Sequence, residues 1–555
     1  MLSRTDALRA LDAEPFDVLV IGGGITGAGV AFDAAARGYR VALVERADFA
    51  SGTSSRSSKL VHGGLRYLQN FDLGLVREAL LERALMVHLA PHLVRPLPFV
   101  VPTLIGSRPD RTMGIGLNLY DVLATTPLRG HGSVRRLPGR HRTGWSPGRH
   151  RRISAGAVAE LLPALATRAP AGGYLFHDCQ TDDARLVLTI LAEAERLGAI
   201  CVRGAEVTGL GDHEATVRDR ESGAEFVIRA RHIVNATGVW ADRIGPAPSG
   251  AADQVPRIAP SRGTHITLRD EDLPLRAGAI VPVGDGRSIF AVPWLGRSLI
   301  GTTDNPYSGD IGHVRPAADD VTYLLGTVNR FFGTELGCDD VAGAFAGVRP
   351  LIASGDGRPS VDISRRAALY ETASGLITIT GGKLTTWRRM AKLAVDRVVA
   401  RDGRTAPCRT HEIPLGAAVA PGALPRVASV SPDVYAALAG RYGQTAVEVL
   451  GLAAEQPELG APIVAGLPDI VAEAVFAARH EQARSVGDVL LRRTRLGLLA
   501  ARDLCGPGAE GPARVARAMG AELGWDTARV AAEVQRFVTE ARAEGLLPSP
   551  EPVPG

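Results

Sequence analysis

The residues best placed to do chemistry lie near the start of the chain. Asp17 to Ile21 is a short apolar run that reads as a buried parallel strand, and Gly22-Gly23-Gly24-Ile25-Thr26-Gly27 follows it directly. Ala28 to Arg37 then reads as a helix closed by Gly38, and Arg40 to Glu45 as a second strand. In a G-x-G-x-x-G turn the first glycine permits the tight bend. The second lets the backbone approach a pyrophosphate lying on the helix amides, and the third lets helix and strand pack closely. Glu45 ends the second strand 23 residues after Gly22, where a carboxylate hydrogen-bonds ribose hydroxyls. With strand, helix and acid all in place, Gly22, Gly23, Gly24, Ile25, Thr26, Gly27, Glu45 and the adjoining Arg46 are candidate contacts to a dinucleotide.

The motif alone does not separate NAD from FAD. A flavin dinucleotide is long, so segments remote in sequence must return to its far end. Three do so plausibly. The first is the serine-rich stretch Ser51 to Gly64, with Thr53, Ser54, Ser57, Ser58, Lys59, Leu60, Gly63 and Gly64 as candidate contacts. The second is the strand end Ala236-Thr237-Gly238. The third is Thr380-Gly381-Gly382-Lys383-Leu384-Thr385, a strand-Gly-Gly-helix turn whose free amides could cap the O2 and N1 edge of a flavin ring.

These segments need a large scaffold to bring them together. The chain has 555 residues, 45% hydrophobic and 22% charged, enough for two or three domains around a sizeable core. A net charge of +4 with no dense basic arm argues against a nucleic-acid binder. The five scattered cysteines suit neither a disulfide framework nor a zinc site and fit a reducing compartment. The first residues lack the apolar core of a signal peptide, and no run of about 18 apolar residues exists to span a bilayer.

Further along, Leu73 to Leu89 and, more weakly, Met113 to Leu123 carry apolar residues at helical spacing. Arg129 to Arg152 is a basic, loop-like stretch around Trp145. Short strands are expected from about Tyr174 to Val348 and a helix after Leu384. Arg401 to Gly422 reads as a linker. Helices are expected at Pro432 to Tyr442, Leu467 to His480, Ser485 to Leu499 and Thr527 to Glu544, before a disordered tail at 546–555. Of the 63 basic residues only Lys59, Lys383 and Lys392 are lysines, so a retained lysine points to a site that needs one, unless chance kept it.

The serine-rich segment running into His62-Gly63-Gly64-Leu65-Arg66-Tyr67-Leu68, together with Gly347-Val348-Arg349-Pro350 and Gly381-Gly382-Lys383-Leu384-Thr385-Thr386, resembles FAD-dependent glycerol-3-phosphate dehydrogenases. These are similar in turn to D-amino-acid-oxidase-like and glycine-oxidase-like flavoproteins. The resemblance runs from about residue 15 to about 540 and includes Val486 to Thr494. It implies an α/β fold: a Rossmann-type FAD-binding domain, a mixed-sheet substrate cap and a C-terminal helical domain. The expected division is 1–405 for the oxidoreductase region and 406–545 for the helical domain. Within the former, FAD-binding segments fall at about 15–95, 175–260 and 340–405, and the cap at about 96–174 and 261–339.

The resemblance also implies oxidation of sn-glycerol 3-phosphate to dihydroxyacetone phosphate with FAD as hydride acceptor and a quinone taking the electrons. Such a phosphate dianion suits arginines able to grip it bidentately, and Arg66, Arg349 and Arg365 match the family's positions, with Arg366 a competitor for the last. His265 matches a Lys-Gly-Ser-His segment in which this chain carries Arg262 for the lysine, which puts that lysine's role in doubt. A histidine suits proton transfer near neutral pH. His265 and Lys383 are both candidates to receive the C2 hydroxyl proton, with His62 a third. Asp182-Asp183 and Gly301 to Asp304 also match family segments but suit structural roles.

A cytoplasmic protein held peripherally at the inner membrane face, through the basic stretch at 129–152, is the expected location, and a homodimer is compatible. No acidic loop with calcium-binding spacing is present. The rival readings are an oxygen-using glycerol-3-phosphate oxidase, an amine or amino-acid oxidase, whose substrate carboxylate needs only about one arginine, and a flavin-binding regulatory protein without turnover.

Overall fold

The computed structural model describes residues 1–13, 15–68, 72–105, 111–125, 147–244, 257–284, 287–353, 367–506 and 508–548; the side chains of residues 12, 13, 66, 67, 111, 112 and 125 are outside that description. The strand Phe16–Ile21 is apolar at nearly every position and sits at the centre of a sheet. It pairs in parallel with Val41–Glu45 on one side and Glu225–Asn235 on the other. Ile200–Arg203 and Ile377–Gly381 extend the parallel array, and Ala367–Glu371 closes one edge antiparallel. Strands buried on both faces need continuous apolar runs, and these have them. The helix Ile25–Ala36 covers the sheet with a glycine- and alanine-rich surface that the helices Asp183–Arg196 and Trp387–Arg401 approach closely. Trp387 fills the space between, fully buried beside Phe32 at 6.5 Å between ring centroids.

A second, mixed sheet carries the strands Arg95–Leu104, Pro170–Gln180, Ile258–Arg269, Gly278–Pro282, Ser288–Trp294, Arg297–Gly301 and Val341–Ile352. Most of these strands lie in the segments expected to form the cap, but Val341–Ile352 and the end of Pro170–Gln180 do not. Val341–Ile352 falls inside a segment expected to belong to the FAD-binding part, yet it pairs along its whole length with Ile258–Arg269. Two long, largely buried strands pair through their backbones regardless of their distance in sequence.

The C-terminal helices are Val434–Tyr442, Ala446–Glu455, Ala472–His480, Gly511–Leu523 and Thr527–Glu544. Their core is not separate from the cap's: one apolar cluster contains Trp294, Leu299 and Phe345 together with Leu490, Leu496, Leu498 and Phe537. The expected helix from Ser485 to Leu499 is broken. A wide-turn segment Asp488–Arg493 is followed by Arg495 in the left-handed region (φ 69°) and then Leu496–Leu499. The stretch expected as a linker is irregular but tied down, since Leu415 is fully buried and its N–H donates to the Leu89 carbonyl at 2.9 Å. The start of the expected disordered tail, 546–548, is described. Leu546 is buried, and its carbonyl accepts from the Ala344 N–H at 2.8 Å; residues 549–555 lie outside the described residues.

Candidate active site

A single cavity of about 1560 Å³ runs from the glycine turn to the cap sheet. At one end Gly22 leaves the first strand with φ 110°, and a Cβ there would meet the Ala236 carbonyl at 2.8 Å, so only glycine brings the two strand ends together. Gly24, Ile25 and Thr26 line the cavity at the start of their helix, whose N-cap residue, Gly24, has no side chain to cap it. Ser54 Oγ accepts from the Ile25 N–H at 2.9 Å and ties the serine-rich segment to that helix end. Glu45 accepts from the N–H groups of Gly23 (2.7 Å) and Ala47 (2.8 Å). Its carboxyl faces the cavity, and burial raises its pKa ahead of the opposing pull of those two N–H groups. Arg46 lies over the Trp240 ring at 4.5 Å, making a flat wall.

Thr53, Ser57, Ser58 and Leu60 line the middle, facing Ala236, Thr237 and Gly238 and the turn Gly382, Lys383, Leu384 and Thr385. Thr53 Oγ1 donates to the Val348 carbonyl at 2.6 Å and Thr385 Oγ1 accepts from the His62 N–H at 3.1 Å, so cap and nucleotide domain are stitched at the cavity itself.

The far end belongs to the cap strands Ile258–Arg269 and Val341–Ile352. Their register sets Ser261 opposite Arg349 and His265 opposite Phe345. Arg349 donates from Nη1 to Asp304 (3.2 Å) and from Nη2 to the Thr302 hydroxyl (3.2 Å) and Thr303 carbonyl (3.0 Å). Its guanidinium crosses directly over Gly263, where a Cβ would come within 2.5 Å of Nη2. The segment Gly301 to Asp304, expected as a plain turn, thus aims Arg349. His265 is buried, stacks flat on Phe345 (4.8 Å, 7°) and shares a hydrogen bond of 2.9 Å between Nε2 and Ser58 Oγ. Burial, then the charges of Lys59 and Arg349, hold its pKa well below the ordinary histidine value. The imidazole is therefore held in its neutral form, with one ring nitrogen carrying a lone pair.

Known proteins with this chain's pattern are flavoenzymes. Residues 17–397 match the family described as FAD dependent oxidoreductase, and residues 408–530 the C-terminal domain of alpha-glycerophosphate oxidase. Glycerol-3-phosphate dehydrogenase 2 of Mycobacterium tuberculosis is 38% identical, covering 98% of this chain and 91% of its own. Glycerol-3-phosphate dehydrogenase 1 of the same organism is 40% identical over 89% of this chain and 94% of its own. The chain belongs to the FAD-dependent glycerol-3-phosphate dehydrogenase family. A solved glycerol-3-phosphate dehydrogenase from Bacillus halodurans, complexed with FAD, superposes with a TM-score of 0.75 at 28% identity, covering 99% of this chain and 98% of that one.

FAD is the cofactor of this dehydrogenase family, and the cavity fits it. The glycine cradle at Gly22 and the helix start at Gly24 to Thr26 suit a pyrophosphate, Glu45 a ribose, and the 382–385 turn a ring edge. The cavity exceeds the roughly 300–1,000 Å³ of an ordinary small-molecule site, as a long dinucleotide plus substrate requires.

Some expected contacts do not reach it. Lys59 is fully buried, with Nζ donating to Asp183 (2.8 Å) and the Ser55 carbonyl (2.6 Å); a buried ammonium needs such partners and cannot also face the cofactor. Gly23 and Gly27 sit behind the turn, Gly27 packed on the Gly22 carbonyl. Gly63 and Gly64 lie behind the wall, where the Gly63 N–H donates to Tyr120 Oη at 2.8 Å. The Arg66 side chain, Arg365, Arg366 and Trp145 lie outside the described residues. Sequence reasoning missed Gly204 to Val207 and Trp240 beside Glu45 and Arg46, and one face of the helix Thr527–Glu544, from Arg529 to Glu544. The strand Ile200–Arg203 next to Val41–Glu45 was the available signal for the first of these.

Proposed function

We propose that this protein oxidises sn-glycerol 3-phosphate at C2 to dihydroxyacetone phosphate and passes the electrons to a quinone at a membrane surface. The reading rests on one observation: a buttressed arginine and a neutral, buried histidine stand on paired strands at the cavity end opposite the dinucleotide cradle. When bound, FAD supplies a hydride acceptor. Arg349, oriented by Asp304, Thr302 and Thr303, holds the phosphate, aided by Arg66 and Arg365 from the family's other two motifs. His265 receives the C2 hydroxyl proton, its buried imidazole being kept in the neutral form by its surroundings. Lys383, at the cavity turn, supplies positive charge beside the ring edge and substrate. Phosphate at one end and a proton acceptor at the other fix which carbon is presented.

A quinone is lipid-soluble, and features on one flank of the cap support contact with a bilayer. Ile115 (70% exposed) and Val122 (56%) project from the helix Arg111–Thr125, which leads into the arginine-rich segment 126–146 outside the described residues. Among the described residues no helix is long and apolar enough to cross a membrane. The match of residues 408–530 to an oxidase's C-terminal domain favours oxygen as the rival acceptor. Anaerobic mixing with sn-glycerol 3-phosphate, glycerol or amino acids tests the substrate. Bleaching of the flavin by the phosphoester alone is expected, and bleaching by an amino acid would refute the reading. Reoxidation by a quinone analogue should then outpace reoxidation by oxygen.

A further inference from the structure

The C-terminal helical domain reaches the active site through a buried charge cluster, Lys59, Asp183 and Arg495, that lies behind the cavity lining. Arg495 and Lys59 are both fully buried, and both hold backbone conformations that side-chain-bearing residues disfavour, with φ of 69° and 60°. Such conformations persist where the surroundings over-determine them, and they gather at functional sites. The two cations converge on the same pair of acceptors. Arg495 Nη2 donates to the Ser55 carbonyl at 2.6 Å and to Asp183 Oδ1 at 3.1 Å. Lys59 Nζ donates to the Ser55 carbonyl at 2.6 Å and to Asp183 Oδ1 and Oδ2 at 3.0 and 2.8 Å.

Asp183 in turn grips the cavity-lining loop. Its Oδ2 accepts from Ser57 twice, from N–H at 3.0 Å and from Oγ at 2.6 Å. The next residue, Ser58, holds His265 Nε2 through its hydroxyl. The other side of the His265 seat is braced by the same stretch of the helical domain. Thr267, two residues on in the His265 strand, donates from Oγ1 to the Leu498 carbonyl at 2.6 Å. The Lys59 ammonium also lies 4.7 Å from the centroid of Phe345, the ring on which His265 stacks.

We propose that Arg495, supplied by the C-terminal helical domain, is a positioning residue for His265: with Lys59 it locks Asp183 and the 55–59 loop, and so fixes the Ser58 hydroxyl that orients the imidazole. The helical domain is then a working part of the catalytic framework, because one of its side chains sets the aim of the proton acceptor. This rests on the reading of His265 as that acceptor.

A double-mutant cycle on the FAD-loaded enzyme tests it, read as the first-order rate of anaerobic flavin reduction at saturating sn-glycerol 3-phosphate. Ser58→Ala removes one small hydroxyl and keeps the fold. Arg495→Lys keeps the charge and loses the fork. Each is expected to slow reduction about tenfold, the worth of one well-made hydrogen bond, with little change in substrate affinity. Because both act through one chain of contacts, the S58A/R495K double variant should remain only about tenfold slow. A double variant slowed by the full product, roughly a hundredfold, would mean that Arg495 acts elsewhere and would overturn the proposal, as would parent rates in both single variants.

His265→Gln separates the two layers. If H265Q keeps the parent rate, the proton-acceptor reading falls and the positioning role with it. If H265Q is slow while S58A and R495K are not, the positioning role alone falls.

Discussion

Removing the Arg349 guanidinium tests the phosphate reading most directly. The side chain is 20% exposed, and its partner Asp304 also accepts from the Ser261 hydroxyl, so Arg349→Ala strips a site group without leaving a sealed, unpaired charge. Stability should change little. Binding should change a great deal. A charge-assisted hydrogen bond contributes about 1.5–3 kcal/mol, and a fork on a phosphate makes two, for roughly 3–6 kcal/mol in all. Water entering the vacated space offsets part of this, leaving about 3–4 kcal/mol, or roughly 140- to 700-fold in kcat/KM at about 1.4 kcal/mol per tenfold. Arg349→Lys keeps the charge and loses the planar fork, so its loss should fall nearer tenfold. Steady-state turnover with an artificial electron acceptor measures both, and glycerol provides the internal control. Lacking a phosphate, glycerol gains nothing from Arg349, so any residual turnover it supports should be equal in parent and variant. A kcat/KM for the phosphoester within threefold of the parent, or an equal loss on glycerol, would refute the assignment.

Other parts of the structure make their own demands. His265 is held below the ordinary histidine pKa by burial first and then by Lys59 and Arg349. It therefore stays unprotonated at and above the unfolded-state value of about 6.5, and the acid limb of kcat/KM should lie below that pH. Stability has the same sign. As pH falls below about 6.5 the unfolded chain binds a proton that the folded site refuses, so His265 contributes a loss of stability toward acid. An acid limb at or above 6.5 that vanishes in H265Q would contradict this. Gly22→Val forces a side chain into the Ala236 carbonyl at a left-handed φ; the purified protein should be colourless and fail to take up FAD, and a normal flavin-to-protein absorbance ratio would count against the cradle. Asp48 is buried beneath Arg492 Nε (2.6 Å) and both Nη atoms of Arg493 (2.8 and 2.9 Å). Asp48→Asn should cost about 3–5 kcal/mol and lower the thermal midpoint of the FAD-saturated protein, and an unshifted midpoint would show the cluster to be energetically idle.

What was legible in the sequence was whatever short-range pattern dictates. The strand-turn-helix at Phe16–Ala36, Glu45 at the next strand end, and the helices Leu73–Leu89 and Thr527–Glu544 follow from apolar periodicity and from glycines that only a tight turn explains. Ser58 came from the serine-rich segment, His265 and Arg349 from the resemblance to the family's motifs rather than from any local pattern, and all three line one cavity. Charge was harder to read. In a chain that writes nearly all its positive charge as arginine, a solvated arginine, a substrate arginine and a buried structural arginine look alike along the sequence. Lys59 illustrates the cost. Its rarity marked it as functional, which pointed toward the cofactor, whereas its ammonium is consumed by Asp183 beneath the cavity floor.

Val486 to Thr494 matched the family without any role attached, because that role depends on acceptors more than 300 residues away in the sequence. Arg495 and Asp183 are 312 residues apart, and Arg493 and Asp48 are 445 apart. At the helix break Arg495 meets the Ser55 carbonyl and Asp183 of the nucleotide domain, partners that no local pattern announces. Burying so many arginines is tolerable only where each finds a carboxylate or carbonyl, and such a set can be complete only when all three parts of the molecule are docked. The charge that stabilises the helical domain is thus the same charge that ties it to Ser57 and Ser58. On the proposed role of His265, the contacts that dock the tail are also the contacts that align the proton acceptor.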